Sequence, residues 1–365
     1  MADWDVVVVG AVPLEGSRAL GDWQMARALA RHHHVLYVDP PVFPRTVLRT
    51  RDVRLLRAAT RQLSDNLWVL RPLATPGGNR RWGSTFADWV VGTQVRHALR
   101  GRRSRRIVVT FDPKRGTLPF VSRDKLVYWR RDRLAASEAT THGEHIAHRD
   151  RQLMLRADLV TGVSQPLVDE ALAVGAAAQL IANGCDFEHF STPTPGPPDL
   201  PSNRPLIGFA GGVSWRLDQQ LIGDIVRARP DWTFVFVGEV VTALPDYPNL
   251  HVVGPRPYSE LPGWVQRFDV GIIPYRLSSF NIAAAPLKAY EYLASGVPVV
   301  ATSMPALAGQ HPYIRLSDNA RGFLEAVEDA LSAGPSPGHC QQVALDHDWS
   351  ARVRLLETRV GALLS

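Results

Sequence analysis

The hydrophobic positions of this chain alternate between short β-branched runs and longer stretches with helical spacing. Within residues 1–190 the runs predict strands at Asp5–Gly10, Val35–Asp39, Leu67–Pro72, Ile107–Thr110, Lys125–Trp129 and Leu159–Gly162. The stretches between them predict helices at Arg18–Arg31, Ser84–Arg100 and Glu144–Arg156. Strands that alternate with helices in this way are typical of a doubly wound parallel sheet.

The same alternation starts again at Leu206, after a proline-rich stretch at residues 191–205. Further strands are predicted at Leu206–Phe209, Thr233–Val237, His251–Val253, Val270–Ile273 and Val297–Ala301, and helices at Asp218–Arg229, Ser259–Phe268, Leu287–Ser295 and Trp349–Leu364. The proline-rich stretch lacks apolar periodicity and indicates a stiff, exposed linker. We therefore predict an N-terminal domain at 1–190, a linker at 191–205, a C-terminal domain at 206–345, and a final helix within 346–365 that packs back on the first domain.

The composition is that of an ordinary globular protein. Of 365 residues, 45% are apolar and 21% charged, which suits two domains with sizeable cores. The two cysteines, Cys185 and Cys340, have no metal-ligand spacing, so we expect a reducing compartment and no structural metal. The apolar run Val6–Val9 is too short to cross a bilayer and follows no basic segment, so a cytoplasmic location is expected.

The net charge of +6 is unevenly distributed. Residues 1–190 hold 28 Lys+Arg against 19 Asp+Glu, a net +9, whereas residues 191–365 hold 13 against 16, a net −3. Residues 45–61, RTVLRTRDVRLLRAATR, interleave arginine with leucine. This pattern suits a peripheral contact with an anionic membrane or a polyprenyl-diphosphate acceptor. It equally suits a solvated loop and helix in an arginine-rich protein, and no nucleic-acid partner is expected.

The segment 281–302, NIAAAPLKAYEYLASGVPVVAT, carries the richest chemistry. Pro286 and Leu287 suit the first turn of a helix, whose free N–H groups attract an anion. Lys288 and Glu291 are three positions apart and share a helical face, so a cation for phosphate and a carboxylate for sugar hydroxyls project together. The alternative is a solvated surface pair, but lysine occurs only at 114, 125 and 288, which weakens that alternative.

A second candidate segment is IGFAGGVSWRLD at 207–218. The pair Gly211-Gly212 lets the backbone approach a ligand closely, and Arg216 has a planar fork that suits phosphate. An ordinary turn between strand and helix would look the same for the glycines alone.

In the first half, the loop that contains Gly16 and Ser17 lacks the G-x-G-x-x-G spacing of a nicotinamide site and could instead wrap the reacting end of a donor. Asp112 and Asp132 follow predicted strands, where catalytic carboxylates often lie. Aspartate is also a common turn and N-cap residue, and that interpretation is preferred for Asp112, which precedes Pro113.

These motifs together resemble a known family. PLKAYEYLASGVPVVAT, GFAGGVSWRLD and FDVGIIPY resemble bacterial GT-B glycosyltransferases of the retaining, glycogen-synthase-like superfamily, especially the branch similar to teichuronic acid biosynthesis enzymes. LVYWRRD, RADLVTGVSQPL and IANGCDFEHF agree more loosely. The resemblance implies an α/β fold with two Rossmann-like domains that face each other across a cleft, and a C-terminal helix that crosses back.

The resemblance also implies roles for particular residues. The donor diphosphate would be bound by Gly211, Gly212, Arg216 and Lys288, the nucleoside by Arg256, Tyr258 and Glu291, and the donor loop would comprise Gly16, Ser17, Pro286 and Leu287. Asp132 would lie near the sugar and the acceptor. Transfer would retain the anomeric configuration without a metal or a cofactor, with a UDP-sugar as the expected donor.

Two positions depart from the family pattern. Ala283 stands where many relatives carry a glutamate that contacts the donor sugar, and Ala285 stands where the closer branch often has asparagine. The main interpretation is transfer of a sugar to a glycan, a lipid-linked glycan or a natural product. The alternatives are a nucleotide-sugar epimerase or hydrolase of the same fold, and a non-catalytic nucleotide-sugar-binding protein.

Overall fold

A computed structural model describes residues 4–14, 21–42, 58–73, 84–101, 104–113, 118, 121–137, 143–309, 312–334 and 337–365. The chain forms two compact units. The first comprises Met1–Ile181 together with Val353–Ser365, and the second comprises Ala182–Arg352.

In the described part of the first unit, eight strands form one sheet in the order β3-β4-β2-β1-β5-β6-β7-β8. The strands are β1 (Trp4–Val9), β2 (His34–Val38), β3 (Ala59–Ser64), β4 (Leu67–Arg71), β5 (Arg105–Thr110), β6 (Lys125–Arg130), β7 (Leu159–Gly162) and β8 (Ala178–Leu180). The helices are α1 (Gly21–Leu29), α2 (Ser84–Ala98), α3 (Gly143–Arg156) and α4 (Gln165–Ala173). All neighbouring strands are parallel except β3, which runs antiparallel to β4 at the edge.

The central strand β1 shows why this sequence forms a buried parallel sheet. Its residues WDVVVV are all buried, with Val7 paired in register with Leu36 of β2 and with Val108 of β5. A strand that helices cover on both faces requires such an uninterrupted apolar run.

The second unit is a six-stranded parallel sheet in the order β11-β10-β9-β12-β13-β14. The strands are β9 (Leu206–Ala210), β10 (Thr233–Val237), β11 (Leu250–Gly254), β12 (Val270–Ile273), β13 (Val299–Ala301) and β14 (Ile314–Leu316). The helices are α5 (Phe187–Ser191), α6 (Gln219–Ala228), α7 (Leu261–Val265), α8 (Ser279–Ile282), α9 (Leu287–Ala294), α10 (Ala320–Ser332) and α11 (Pro337–Leu345); α12 (Trp349–Leu364) begins in this unit and ends in the first.

The strand order of the second unit reverses between β9 and β12. From β9 the chain adds β10 and β11 on one side, and then β12, β13 and β14 on the other. In open α/β sheets a crevice for ligands lies outside the carboxyl ends of the strands at such a reversal. The segments after β9 and β12 therefore occupy the preferred place for a site.

The predicted class, α/β with a parallel sheet in each half, is confirmed. The sequence pattern missed the strands β3, β8 and β14 and the helices α4, α5, α8, α10 and α11. It also predicted one helix at Ser259–Phe268, where the chain forms a 3-10 turn at Tyr258–Glu260 followed by the short α7. The edge strands β8 and β14 have only three residues each, AQL and IRL, which is too few to show a period.

The division between the units differs from the expected linker at 191–205. That segment is fixed to the second unit, where the backbone N–H of Thr194 donates to Gln266 Oε1 at 2.9 Å, and Gln266 Nε2 donates to the carbonyls of Phe190 and Thr192 at 2.9 and 2.7 Å. Proline density therefore marks a segment without helix or strand, whereas the unit boundary lies at 181/182.

The segments by which the chain enters and leaves the second unit are hydrogen-bonded to each other. The N–H of Cys185 donates to the carbonyl of His347 at 2.9 Å, and the N–H of Trp349 donates to the carbonyl of Cys185 at 3.1 Å. Beyond residue 352, α12 packs on the first unit, where Glu357 Oε1 lies 2.9 Å from a ring nitrogen of both His32 and His33. Among the described residues, no helix is long and apolar enough to cross a membrane.

We expect Gly238→Ala to lower the free energy of unfolding by about 2–4 kcal/mol, because strain and overlap act together. Gly238 has φ +152°, and a Cβ placed on it would lie 2.0 Å from the carbonyl oxygen of Gly211. Urea denaturation followed by circular dichroism measures the loss. The control is Gly361→Ala in α12, where a Cβ meets nothing within 4 Å and stability should not fall. Equal behaviour of the two variants would contradict the close contact.

Candidate functional site

The carboxyl ends of β9 and β10 touch through glycine backbone. Gly211 has φ +151°, and its carbonyl oxygen occupies the space that a side chain on Gly238 would need. A Cβ on Gly211 would lie 2.9 Å from Lys288 Cε and 3.1 Å from Lys288 Nζ. Gly211 is therefore more than a turn residue, since its missing side chain lets the lysine cross the end of β9.

Lys288 is the second residue of α9, and its ammonium group lies against aromatic side chains. Nζ donates to Tyr275 Oη at 2.5 Å and lies 4.8 Å from the Tyr275 ring centroid and 5.0 Å from that of Phe209. Within the described ranges no carboxylate comes within 4 Å of Nζ, so Lys288 and Glu291 do not form an ion pair. The surface-pair interpretation of these two residues is not what the structure shows.

Arg216 approaches the same tyrosine from the segment after β9. Its Cζ lies 4.5 Å from the ring centroid of Tyr275 and 5.1 Å from that of Phe280. Its Nε donates to Asn281 Oδ1 at 2.8 Å. Asn281 is fully buried, and its Nδ2 donates to the carbonyls of Arg216 and Arg276 at 3.0 and 2.8 Å. One amide side chain thus fixes the direction of the guanidinium group.

Backbone hydrogen bonds fasten the Arg216 segment to the end of β12. The N–H of Asp218 donates to the carbonyl of Pro274, and the N–H of Arg276 donates to the carbonyl of Arg216, both at 2.9 Å. Asp218 also caps α6 by accepting from the N–H of Leu221 at 2.9 Å. The two segments at the strand-order reversal are therefore held as one rigid platform.

This platform concentrates positive charge, and among the described residues no carboxylate lies within 4 Å of the charged groups of Arg216 or Lys288. Arg216 and Lys288 lie on one ring, that of Tyr275, which is buried. No side chain caps the first turn of α9, and Pro286 occupies the cap position with Leu287 as the first helical residue. Two cations and the positive end of a helix dipole at one place favour an anion strongly.

Glu291 lies one turn further along α9. Burial raises the pKa of its carboxyl group to about 7, the Lys288 charge lowers it, and Asp186 raises it further. In the described structure the carboxylate has no hydrogen-bond donor within reach, although the residue is largely removed from solvent. A carboxylate is an acceptor-only group, so hydroxyl groups of a ligand would satisfy it.

The predicted nucleoside residues Arg256 and Tyr258 have structural partners. Arg256 Nη2 lies 3.0 Å from Asp199 Oδ2, so the arginine helps to hold the proline-rich segment. Tyr258 stacks on His189 with ring centroids 4.4 Å apart. No described contact joins either residue to the group around Tyr275, and their role toward a nucleoside stays a prediction.

In the first unit, Asp132 lies just beyond the carboxyl end of β6. Its Oδ2 is 3.8 Å from Arg131 Nε, and Arg131 Nη1 is 3.3 Å from Asp22 Oδ1. The other oxygen of Asp22 accepts from the N–H groups of Ala11 and Val12 at 3.0 and 3.3 Å. Asp132 is thereby linked through two buried charges to the loop that follows β1.

The remaining predicted positions fall in different places. Gly16 and Ser17 lie outside the described residues. Asp112 is buried directly after β5, and Gly212 is exposed beside Gly211. Ala283 is completely buried, so no side chain from this position reaches a ligand, and the carbonyl of Ala285 accepts from Asn183 Nδ2 at 2.7 Å. In the described part of the chain, no group of three or more His, Cys, Asp or Glu side chains could hold a metal ion.

Sequence reasoning missed Tyr275, Asn281 and Gly238. Tyr275 was visible as the end of an apolar strand, FDVGIIPY, and Asn281 as the first residue of the donor motif. Tyrosine and asparagine are not residue types that indicate a phosphate site. Tyr275 and Asn281 contribute by holding Lys288 and Arg216 in place, not through a charge of their own.

Comparison with known proteins agrees with this geometry. Residues 204–333 match the family "Glycosyl transferases group 1". This range contains β9 to β14 and the residues around Tyr275. TuaH of Bacillus subtilis (strain 168), a proposed teichuronic acid biosynthesis glycosyltransferase, is 31% identical over 237 residues. The alignment covers 59% of this chain and 60% of the relative, so the chain matches about three fifths of the length of TuaH.

Solved structures match the fold over nearly the whole chain. Sucrose-phosphate synthase from Thermosynechococcus elongatus has a TM-score of 0.71 at 14% identity, with 98% of each chain covered. HepE of Anabaena, solved in complex with UDP, has a TM-score of 0.63 at 15% identity, with 98% of this chain and 99% of HepE covered. The prediction of a GT-B fold is confirmed.

We expect Glu291→Gln to stabilise the unliganded protein at alkaline pH. A folded-state pKa of about 7 against an ordinary 4.5 means that the folded protein binds this proton more tightly, so stability falls as the pH rises from 4.5 through 7. Above pH 7 the buried charge of Glu291 lowers the free energy of unfolding of the wild type by at most about 3 kcal/mol. The glutamine variant has no such charge and keeps that stability.

Urea denaturation at pH 4 and pH 8 measures this difference. The variant and the wild type should be similar at pH 4, whereas the variant should be more stable by about 1–3 kcal/mol at pH 8. A wild type that is the more stable at pH 8 would show that Glu291 is compensated by a partner.

Proposed function

We propose that this protein transfers a sugar from a nucleotide-diphosphate-sugar donor to an acceptor hydroxyl group. One observation carries the proposal: Arg216 and Lys288 lie on the same Tyr275 ring at the strand-order reversal, with no carboxylate within 4 Å among the described residues. A diphosphate supplies the charge and the oxygen acceptors that this arrangement lacks. The match of residues 204–333 to the family "Glycosyl transferases group 1" supports this assignment.

In the proposed reaction the main role of Arg216 and Lys288 is to stabilise the leaving group. The bond between the anomeric carbon and the phosphate oxygen breaks, and the electron pair leaves with the nucleoside diphosphate. Arg216 and Lys288 stabilise the charge that develops on the diphosphate, and their partly buried setting makes that stabilisation larger than it would be in water. Because Asn281 and Tyr275 hold both cations in place before the substrate binds, little reorganisation accompanies the reaction.

Glu291 would bind the nucleoside through the ribose hydroxyls, since among the described residues no donor reaches its carboxylate and burial without a donor raises its pKa. We propose UDP as the nucleotide, supported by the UDP complex of HepE, which has the same fold. Retention of configuration, transfer without a metal, and a contact of Asp132 with the sugar or the acceptor complete the proposal. The new bond forms between the anomeric carbon and the acceptor oxygen, whose proton must leave.

The acceptor is proposed to be a glycan or a lipid-linked glycan, as the likeness to TuaH suggests, with a natural product as the alternative. A lipid-linked acceptor would bring the protein to an anionic membrane, and the basic first half suits such a contact. The buried Ala283 favours keeping a second candidate, a hydrolase or a non-catalytic binder, because the usual carboxylate for the donor sugar is missing. Release of UDP that depends on an acceptor would separate transfer from hydrolysis, and no release would favour the binder.

We expect Lys288→Ala and Arg216→Ala each to weaken UDP binding by about 10- to 100-fold, because each removes one charge-assisted contact with the diphosphate. Calorimetric titration of UDP, GDP, dTDP and ADP with the wild type first identifies the nucleotide, and the variants are then compared on it. The matched control is Arg227→Ala on α6, whose side chain is 58% exposed and pairs with Asp224. If the wild type binds none of the four nucleotides, the proposed function is wrong.

We expect Tyr275→Phe to weaken nucleotide binding by about 3- to 10-fold, and Tyr275→Leu by more. Phenylalanine keeps the ring that holds Arg216 and Lys288 but removes the hydroxyl that fixes the ammonium group, whereas leucine removes both effects. Titration of UDP gives the affinities, and Tyr247→Phe in the same unit serves as the control. Leucine and phenylalanine variants of equal affinity would rule out a role for the ring.

A further inference from the structure

The first turns of α2 expose two large aromatic side chains. Phe86 is 58% and Trp89 44% exposed, and their rings stack with centroids 5.8 Å apart and an interplanar angle of 11°. The opposite side of the helix is packed, with Val91 and Val95 fully buried in the core of the first unit. Exposed aromatic residues on a helix whose other face is in a core indicate a second contact surface.

Basic residues continue this exposed face toward the end of the helix and just beyond it. Arg96, His97 and Arg100 are exposed. At about 100° per residue they fall in the same sector as Phe86 and Trp89. The acidic residue of α2, Asp88, is buried on the other side and pairs with Arg149. The α2 face, defined as Phe86, Trp89, Arg96, His97 and Arg100, therefore combines aromatic rings with cations and carries no acid.

The excess charge of the first half is concentrated in the part of the sequence that includes this helix. Residues 43–101 contain 11 arginines and 3 aspartates, with no lysine or glutamate, a net +8. The rest of residues 1–190 holds 17 basic and 16 acidic residues, a net +1. A generally arginine-rich composition would have spread the charge along the chain, so the distribution supports the same basic character that the described residues Arg96 and Arg100 show.

The structure brings the ends of the arginine-rich segment to the same edge of the unit as α2. Gln94 of α2 accepts from the N–H of Leu73 at 3.0 Å, and Val42 donates to the carbonyl of Pro72 at 3.0 Å. On the other side of residues 43–57, the strand β3 starts at Ala59, which pairs with Arg71. Both described ends of that segment thus lie beside residues 71–73, which α2 holds.

We propose that the α2 face docks the protein on an anionic phospholipid surface. Phe86 and Trp89 enter the boundary between headgroups and acyl chains, where aromatic residues are favoured, and the arginines face the lipid phosphates. A lipid surface is favoured over single-stranded nucleic acid because the two rings already stack on each other, which leaves fewer ring faces for bases. The inference deepens the proposed membrane contact, but it needs neither donor nor acceptor and can fail or succeed separately from sugar transfer.

The test is co-sedimentation of the full chain with vesicles of 70% phosphatidylcholine and 30% phosphatidylglycerol, and with pure phosphatidylcholine. The wild type should bind the anionic vesicles at low salt and the neutral ones at least 10-fold more weakly. The double variant Phe86→Ala, Trp89→Ala and the double variant Arg96→Gln, Arg100→Gln should each lose about 10-fold or more. The matched control is Leu172→Ala on α4, since Leu172 is 51% exposed and carries no such role.

A second readout reports insertion. Acyl chains labelled with bromine should quench tryptophan fluorescence in the wild type, and most of that quenching should disappear in Trp89→Phe, which still binds. Vesicle binding that the aromatic variants leave unchanged would overturn the proposal, as would arginine-dependent binding to a short RNA without binding to vesicles. UDP affinity of the α2 variants should equal that of the wild type, so a failure of the proposed function would appear in that measurement and not in this one.

Discussion

The reversal of strand order between β9 and β12 is the constraint on which the second unit depends. Helices that follow the strands on either side of this point diverge to opposite faces of the sheet, and the gap between them leaves the carboxyl ends of the strands accessible. The chain fills the gap with glycine backbone at Gly211 and Gly238 and with the aromatic ring of Tyr275. The two glycines have no side chains that would block the carboxyl ends of β9 and β10. The ring of Tyr275 provides the surface against which Arg216 and Lys288 lie close together.

The arrangement is costly for the unliganded protein. Two like charges lie against one ring, and one helical turn away a carboxylate with a raised pKa has no hydrogen-bond donor among the described residues. Such uncompensated groups cluster where a ligand completes the electrostatics, and stability is then recovered on binding. In the first unit Arg130 is also buried, but its charge is compensated by ion pairs with Asp150 and Glu170.

Much of this could be predicted from residues alone, for physical reasons that differ from case to case. The strand β1 was predictable because four consecutive valines buried on both faces leave no other assignment. Lys288 and Glu291 were predictable because charge at a helix start has few structural uses. Tyr275 and Asn281 were not, since their importance arises from Arg216, which is 59 and 65 positions away in sequence (275 − 216 and 281 − 216). The proline-rich segment was predicted to be a linker because a stiff segment within a domain and a linker between domains have the same proline-rich composition.

The discontinuity of the first unit has a consequence for the order in which the protein forms. The second unit is contiguous in sequence, so all of its residues have been made by the time that Arg352 has been added. The first unit begins the chain but includes Val353–Ser365, whose Glu357 bonds to His32 and His33. A ribosome therefore completes the later unit before the earlier one. Until the last turns of α12 emerge, the nascent first unit exposes the apolar surface that this helix will cover, which makes that interval the vulnerable step of biosynthesis.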